Sequence, residues 1–164
     1  RGTQVEDKQY PPEKEIIGVD PRIGVFVCNC GSNIGGVVDC QKISDIAIEL
    51  PNVVFSTALL YTCSPDGLKT IKESIEDNDI NRVVVASCTP RTHEPLFQEA
   101  IKEAGLNAYL FEMANIRNQD SWVHSGSNEE ASDKARDLVR MSVARAGTLH
   151  PLEEKKLQIG RAHV

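Results

Sequence analysis

The chain has 164 residues, of which 40% are hydrophobic and 26% are charged, so it is long enough to bury one core. Its net charge of −6 argues against nucleic acids and anionic membrane surfaces as partners, because both would repel it. No apolar run is long enough to span a bilayer, and the polar first residues lack the features of a secretory signal peptide, which favours a cytoplasmic location.

Residues 1–21 are rich in charge and proline and are expected to form a polar leader before a domain over residues 22–125. An apolar run at 23–27 then predicts a strand that is buried on both faces. After a glycine-containing loop, apolar residues at helical spacing predict a helix that Pro51 terminates. A second run of β-forming residues predicts a strand at 53–57.

Capping residues indicate where the next helices begin and end. Ser64 followed by Pro65 predicts an N-cap and a first helical position. Thr92 is the predicted N-cap of the following helix. Gly105 suits the position just beyond the last turn of that helix, where a left-handed residue is common.

Two further strands are predicted at 83–87 and 108–111, and the first of them is the most apolar run in the chain. The alternation of strands with helices predicts an α/β fold. We expect a small, doubly wound parallel sheet of about four strands, of the Rossmann-like or flavodoxin-like type.

The segment at 128–146 is charged but carries one apolar stripe, which predicts a C-terminal amphipathic helix lying against the domain or a partner. Residues 147–164 are expected to be a linker and the first residues of a truncated further domain. The sequence therefore predicts one cysteine-bearing domain, one helix and the beginning of a second domain.

Four of the five cysteines follow predicted strands: Cys28 and Cys30 the first, Cys63 the second and Cys88 the third. The carboxyl ends of parallel strands meet at one edge of a sheet, where ligands bind. We therefore expect these four thiols to gather in one volume, as a metal ion or an iron–sulfur cluster requires. Cys40, at the entry to the first helix, is expected to be a packing residue.

The cysteine spacing favours a cluster but leaves zinc open. Structural zinc sites usually contain two close pairs of ligands, whereas only Cys28 and Cys30 are close in this sequence. The odd number of cysteines indicates a reducing compartment, although single cysteines often do no more than fill cores. His93, in the polar segment after Cys88, is a weaker candidate ligand.

The polar segment at 115–124 follows the fourth predicted strand and contains the only tryptophan. One interpretation is a loop that Trp122 anchors as a lid. The other is that Asn115, Arg117 and Gln119 donate hydrogen bonds to the ligand at the same edge. The residues alone do not choose between the two.

Four segments together resemble the N-terminal domain of HdrA, the iron–sulfur flavoprotein of heterodisulfide reductase, and its relatives. The resemblance runs from about residue 22 to the C-terminus, and the segments are long and occur in one order. They are R-I-G-V-F-V-C-N-C-G-S-N-I, L-Y-T-C-S-P-D-G, N-R-V-V-V-A-S-C-T-P-R-T-H-E-P-L-F and Y-L-F-E-M-A-N-I-R-N-Q-D-S-W-V-H.

The resemblance implies an electron-transfer assembly of methanogens, sulfate reducers and other anaerobes. Members of this family carry FAD and several [4Fe-4S] clusters and are associated with flavin-based electron bifurcation. The partners would be other heterodisulfide reductase subunits and hydrogenase or formate dehydrogenase subunits. FAD would bind only in the domain beyond this chain, and this part is not expected to be catalytic alone.

The N-terminal domain of that family is associated with a [4Fe-4S] cluster, which the resemblance places among Cys28, Cys30, Cys63 and Cys88. Some family members have a cysteine where this chain has Asp120, which makes Asp120 an alternative ligand. The competing hypothesis is a cluster-free module that docks the flavin domain or a partner oxidoreductase.

Overall fold

The structure is a computed structural model that describes residues 8–155 together with residues 157 and 160. The described part folds around one parallel sheet of four strands in the order β2-β1-β3-β4. The predicted α/β fold with a doubly wound parallel sheet is confirmed. The strands are β1 (Ile23–Cys28), β2 (Val53–Leu59), β3 (Arg82–Ser87) and β4 (Phe111–Asn115).

Helices cover both faces of the sheet. The α-helices of the described part are α1 (Ser32–Gly35), α2 (Cys40–Ala47), α3 (Pro65–Asp77), α4 (Pro90–Glu103) and α5 (Asn128–Ala146). The first face carries α2 and α5, and the second carries α3 and α4. A π-helical turn, Arg117–Ser121, follows β4.

The two central strands are buried along their whole length, which explains their continuous apolar sequences. Successive side chains of β1 point to opposite faces, as in any strand. Val25 and Val27 therefore pack in the core under α2 and α5, while Phe26 packs under α3 and α4. Each face thus has its own apolar core.

The strand order changes direction between β1 and β3. The chain leaves β1 towards α2 on the first face, and it leaves β3 towards α4 on the second. In doubly wound sheets this divergence opens a crevice at the carboxyl ends of the two strands, and ligands bind there. The residues that follow β1 and β3 therefore line this crevice.

The fourth strand was predicted at 108–111, which is wrong: it starts at Phe111 and ends at Asn115. Asn107 accounts for the difference. Its side-chain oxygen accepts from the backbone N–H of Tyr109 at 3.1 Å, and its carbonyl accepts from the N–H of Leu110 at 3.1 Å. These bonds close a turn, and short Asn side chains favour such turns over strands.

Helix α4 begins three residues earlier than the prediction of Thr92 as its N-cap implied. Its N-cap is Thr89, and Pro90 occupies the first helical position, where its fixed φ suits a helix. The other capping predictions are confirmed. Ser64 accepts a hydrogen bond from the N–H of Gly67 at 3.1 Å, and Gly105 has a φ of +77° just beyond α4.

The residues before β1 and after α5 pack on the domain. In the predicted leader, Lys8 pairs with Glu99 of α4 at 2.7 Å, and Ile16 is buried. In the predicted linker, the carbonyl of Leu149 accepts a hydrogen bond from Arg82 at 3.1 Å. Apart from residue 160, the predicted start of a further domain at 159–164 lies outside the described residues.

Helix α5 forms half of one helical layer, because its buried side chains share a core with β1, β3 and α2. We expect Val139→Ala to lower the free energy of unfolding by about 1–2 kcal/mol. It removes two buried carbon groups worth roughly 0.8 kcal/mol each and leaves a cavity, partly offset by the better helix propensity of alanine. Denaturant unfolding measures the change.

Met141→Ala is the matched control, because Met141 lies on the same helix but is exposed. It should change the free energy of unfolding by no more than about 0.5 kcal/mol. Equal effects of the two substitutions would show that α5 does not belong to the core.

Candidate metal centre

Cys28 is the last residue of β1 and is buried, with Leu59 as its partner on β2. Its sulfur accepts a hydrogen bond from the backbone N–H of Thr62 at 3.4 Å. Thr62 directly precedes Cys63, so this bond ties the first cysteine to the loop that carries the third.

Cys30 lies in a sharp turn just beyond β1. It has a φ of +48° and is followed by Gly31 with a φ of +59°, so two successive residues are left-handed. The turn is held by the carbonyl of Asn29, which accepts from the N–H groups of Ile34 and Gly35 at 3.1 and 2.8 Å. A left-handed conformation costs a non-glycine residue roughly 1–2 kcal/mol, and such strain clusters at functional sites.

Cys63 lies between β2 and α3, directly before the N-cap Ser64. The first turn of α3 packs closely on this loop at Gly67. A β-carbon at Gly67 would stand 2.7 Å from the carbonyl oxygen of Thr62 and closer still to that of Tyr61. The absence of a side chain at Gly67 therefore allows the helix to seat the loop that carries Cys63.

Cys88 follows β3, directly before the N-cap of α4. It is buried in the core under α3 and α4, and the partly buried Cys63 packs against the same core. Cys30 packs against the opposite core, under α2 and α5. The four cysteines therefore end or follow three neighbouring strands at the same edge of the sheet.

The other three sulfurs affect the ionisation of Cys63. Burial raises the pKa of the Cys63 thiol, and the sulfurs of Cys28, Cys88 and Cys30 raise it further, because a thiolate would be repelled by its neighbours. All five cysteines of the chain are free thiols. In the described part, however, no three histidine, cysteine, aspartate or glutamate side chains are arranged around a single metal ion.

Cys40 differs from the other four. It is buried on the α2 and α5 face, and its sulfur lies 3.7 and 3.6 Å from the carbonyl oxygens of Cys28 and Val38. Burial raises the pKa of Cys40 to about 12, with smaller contributions from Cys28, Asp39 and Asp120. A thiol that stays protonated is a poor metal ligand, which fits the prediction of a packing residue.

The segment after β4 donates to the site. The Nη1 atom of Arg117 donates a hydrogen bond to the sulfur of Cys30 at 3.4 Å, and the guanidinium lies 4.7 Å from the centre of the Trp122 ring. Trp122 does not anchor a lid, because 52% of it is exposed. Of the residues considered as donors, Arg117 has this contact, whereas Asn115 accepts a bond from the N–H of Asn118 at 2.9 Å and Gln119 is exposed.

Several buried polar groups beside the cysteines lack partners among the described residues. They are the hydroxyls of Thr62 and Ser87 and both carboxylate oxygens of Asp120, and they follow or end β2, β3 and β4. Buried polar groups are normally satisfied, so orphaned groups at one edge indicate room for a ligand. Sequence analysis missed Thr62 and Ser87, although each directly precedes a cysteine.

Asp120 is fully buried in the π-helical turn. Burial raises its pKa to about 6, while the positive charges of His124 and Lys134 lower it in part. The position of His93 is less suggestive: it lies in the first turns of α4 and is half-buried. In the described part, neither carboxylate oxygen of Asp120 has a hydrogen-bond partner. Asp120 is therefore the better placed of the two alternative ligands.

Asp120→Asn should stabilise the cluster-free protein in a pH-dependent way. The folded pKa of about 6 exceeds the unfolded value of about 3.9, so the folded wild type binds more protons between these values and loses stability as pH rises through them. Asp120→Asn has no carboxylate at this position and therefore does not lose this stability as the pH rises. Its advantage should be near zero at about pH 4 and on the order of 2–3 kcal/mol above about pH 7.

Unfolding titrations of both proteins across this pH range measure the difference. Asp137→Asn is the control, because Asp137 lies on the exposed face of α5 in a surface ion pair with Arg140. An advantage of Asp120→Asn that does not change with pH would contradict the burial of an unpaired carboxylate.

Comparisons with known proteins agree with the motifs. Across the residues that the structure describes, no helix combines the length and apolar character needed to cross a membrane. No protein-family model matches the chain. Several curated proteins do match it over most of its length.

Three of these relatives are the A subunits of heterodisulfide reductases. That of the H(2):CoB-CoM heterodisulfide,ferredoxin reductase of Methanothermobacter thermautotrophicus is 54% identical over 147 residues, which are 90% of this chain and 22% of that protein. An iron-sulfur A subunit of the CoB--CoM heterodisulfide reductase of Methanopyrus kandleri is 52% identical over 140 residues, 85% of this chain and 21% of that protein. That of the Ferredoxin/F(420)H(2)-dependent CoB-CoM heterodisulfide reductase of Methanosarcina acetivorans is 46% identical over 140 residues, 85% of this chain and 18% of that protein.

The chain spans about a fifth of the length of the curated relatives that it matches. Identity near one half over almost all of the chain leaves no doubt about common descent. The predicted resemblance is confirmed: the chain is homologous to a part of HdrA, the A subunit of heterodisulfide reductase.

Proposed function

We propose that the chain is an electron-transfer domain that holds a [4Fe-4S] cluster with Cys28, Cys30, Cys63 and Cys88. The domain would serve an HdrA-like protein of a cytoplasmic, electron-bifurcating complex. The observation that carries this proposal is that four free thiols end or follow three neighbouring strands at one edge, and that the other three sulfurs contribute to the raised pKa of Cys63. The word "iron-sulfur" in the name of one relative supports it.

The arrangement of the thiols favours a cluster over a single ion. The ligands of one zinc ion must all lie about 2.3 Å from one point, so the sulfurs crowd together. In a [4Fe-4S] cluster each thiolate binds a different iron, and the sulfurs stand at the corners of a larger body. Of the four cysteines only Cys28 and Cys30 form a close pair, while Cys63 and Cys88 follow two other strands, and this spread of ligands suits the larger body.

The surroundings supply donors of the kind that iron–sulfur sites use. When bound, the cluster supplies a one-electron couple. The N–H of Thr62 already donates to the sulfur of Cys28, and Arg117 donates to that of Cys30. The orphaned hydroxyls of Thr62 and Ser87 can donate to sulfur in the same crevice, which would satisfy them.

The complex and its flavin belong to the same proposal. The names of two relatives include ferredoxin, and one of these names also includes F(420)H(2). By analogy, this domain would exchange electrons with an FAD-binding domain beyond this chain and with other heterodisulfide reductase subunits. Hydrogenase or formate dehydrogenase subunits would be further partners of the complex.

A second candidate is a cluster-free docking module, and one observation favours docking. Four large apolar side chains are at least partly exposed in the segments after β2 and β4, at the same edge as the cysteines. They are Leu60, Tyr61, Trp122 and Val123. Exposed apolar groups of this kind mark interaction surfaces when they are contiguous. Docking and cluster binding are separated by whether the purified protein contains iron.

Single Cys→Ala changes at the four positions test the ligand set. Anaerobically purified wild type should be brown and contain iron and acid-labile sulfide in equal amounts. Each of Cys28→Ala, Cys30→Ala, Cys63→Ala and Cys88→Ala should lose most of both, because an iron without its thiolate is exposed to exchange and loss. Iron and sulfide assays and the visible spectrum measure the loss.

Cys40→Ala is the matched control, since it removes a buried thiol from the same domain and should leave iron and sulfide unchanged. If Cys40→Ala also loses iron, the assignment of Cys40 to packing is wrong. If one of the four variants keeps a full cluster, Asp120 is the next ligand to test, with Asp120→Ala. Wild type that binds no iron under these conditions would leave the docking module as the function.

A further inference from the structure

Arg117 joins the candidate site to the protein surface. Its guanidinium has three partners: the sulfur of Cys30 at 3.4 Å, the side-chain oxygen of Asn118 at 3.4 Å and the face of Trp122 at 4.7 Å. Within the described part of the chain, it forms no ion pair with a carboxylate. Its positive charge is therefore directed at a sulfur and an aromatic ring.

The local structure holds Arg117 in this place. It opens the π-helical turn, and its carbonyl accepts a bond from the N–H of Trp122 at 3.0 Å. The hydroxyl of Ser121 donates to the carbonyl of Asn33 at 2.7 Å, which fastens the turn to α1 beside the Cys30 turn. The Ser121–Asn33 bond thus ties the segment after β4 to the segment after β1 beside the Arg117–Cys30 contact.

We propose that Arg117 raises the reduction potential of the bound cluster through its hydrogen bond to the Cys30 sulfur, and that Trp122 is the positioning residue that holds the guanidinium there. This inference rests on the proposed function. It assigns to two residues of one turn a role in setting how readily the domain accepts an electron.

The physical reason is charge. Reduction adds one electron from the electron donor of the complex and makes the site more negative by one unit. Arg117 keeps its proton in both states, so no bond is made or broken by it. A fixed positive charge in hydrogen-bond contact with a ligand sulfur stabilises the more negative state, and hydrogen bonds to sulfur and net charge are the main determinants of cluster potentials.

Trp122 explains why the guanidinium stays on the sulfur. A half-exposed arginine would otherwise sample many rotamers in water and spend little time in one contact. The ring of Trp122 offers a flat face on which the guanidinium stacks, while leaving its edge free to donate. The large exposed fraction of this tryptophan, 52%, also shows that core packing alone does not account for it.

The test is a redox titration of cluster-loaded variants, followed by electron paramagnetic resonance. Arg117→Gln keeps a donor but removes the charge, and Arg117→Leu removes both. The potential should fall in both variants, with the larger fall in Arg117→Leu. Trp122→Leu should also lower the reduction potential. Trp122→Phe keeps an aromatic face and should therefore have a potential close to that of the wild type.

Arg91→Gln is the matched control. Arg91 lies exposed in the first turn of α4, after Cys88 at the same edge of the sheet, so this change removes an equal charge nearby. The potential should fall less than in Arg117→Gln. Equal shifts would show that only the net charge matters and would overturn the role of the Arg117–Cys30 bond.

Iron and sulfide contents separate this inference from the proposed function. If the wild type binds no cluster, both the proposed function and this inference fail. A full cluster in wild type and variants, with the same potential in Arg117→Leu as in wild type, overturns the inference alone.

In the cluster-free protein, loss of the stack in Arg117→Leu should make the fluorescence of the single tryptophan easier to quench with acrylamide. Unchanged quenching would show that Trp122 does not hold the guanidinium of Arg117 in place.

Discussion

The candidate site depends on the change in direction of the strand order between β1 and β3. The chain leaves these strands towards opposite faces, and in doubly wound sheets ligands bind at the carboxyl ends of two such strands. Cys28 and Cys30 lie at the end of β1, and Cys88 follows β3. The neighbouring position of β2 then brings the loop of Cys63 to the same edge of the sheet.

Gathering thiols has an electrostatic cost that the surrounding segments must offset. Burial raises the pKa of the Cys63 thiol, and the neighbouring sulfurs raise it further, because a thiolate there would be repelled by negative charge nearby. The compensating groups are the N–H of Thr62 and the guanidinium of Arg117. Both are positioned by backbone bonds of the loops that carry the cysteines or lie beside them.

The strands, and Arg117 as one of three candidate donors, could be predicted from sequence, whereas the contact of Arg117 with Cys30 could not. The buried runs of β1 and β3 and the cysteines after them are visible in sequence, because burial and topology leave local signals. The predicted position of β4 was wrong because the side chain of Asn107 closes a turn where apolar residues had indicated a strand. Arg117 and Cys30 are far apart in sequence, and only the register of the sheet brings them together.

Two ionisable groups lie beneath the site and differ in what they can contribute. Cys40, with a pKa of about 12, stays neutral and only fills space. Asp120, with a pKa of about 6, is mostly charged at neutral pH despite its burial. Its negative charge contributes to the raised pKa of Cys40. In the proposed electron-transfer site, the buried negative charge of Asp120 would oppose the addition of an electron and Arg117 would favour it. The reduction potential would then depend on the opposition of two charges from the same short turn after β4.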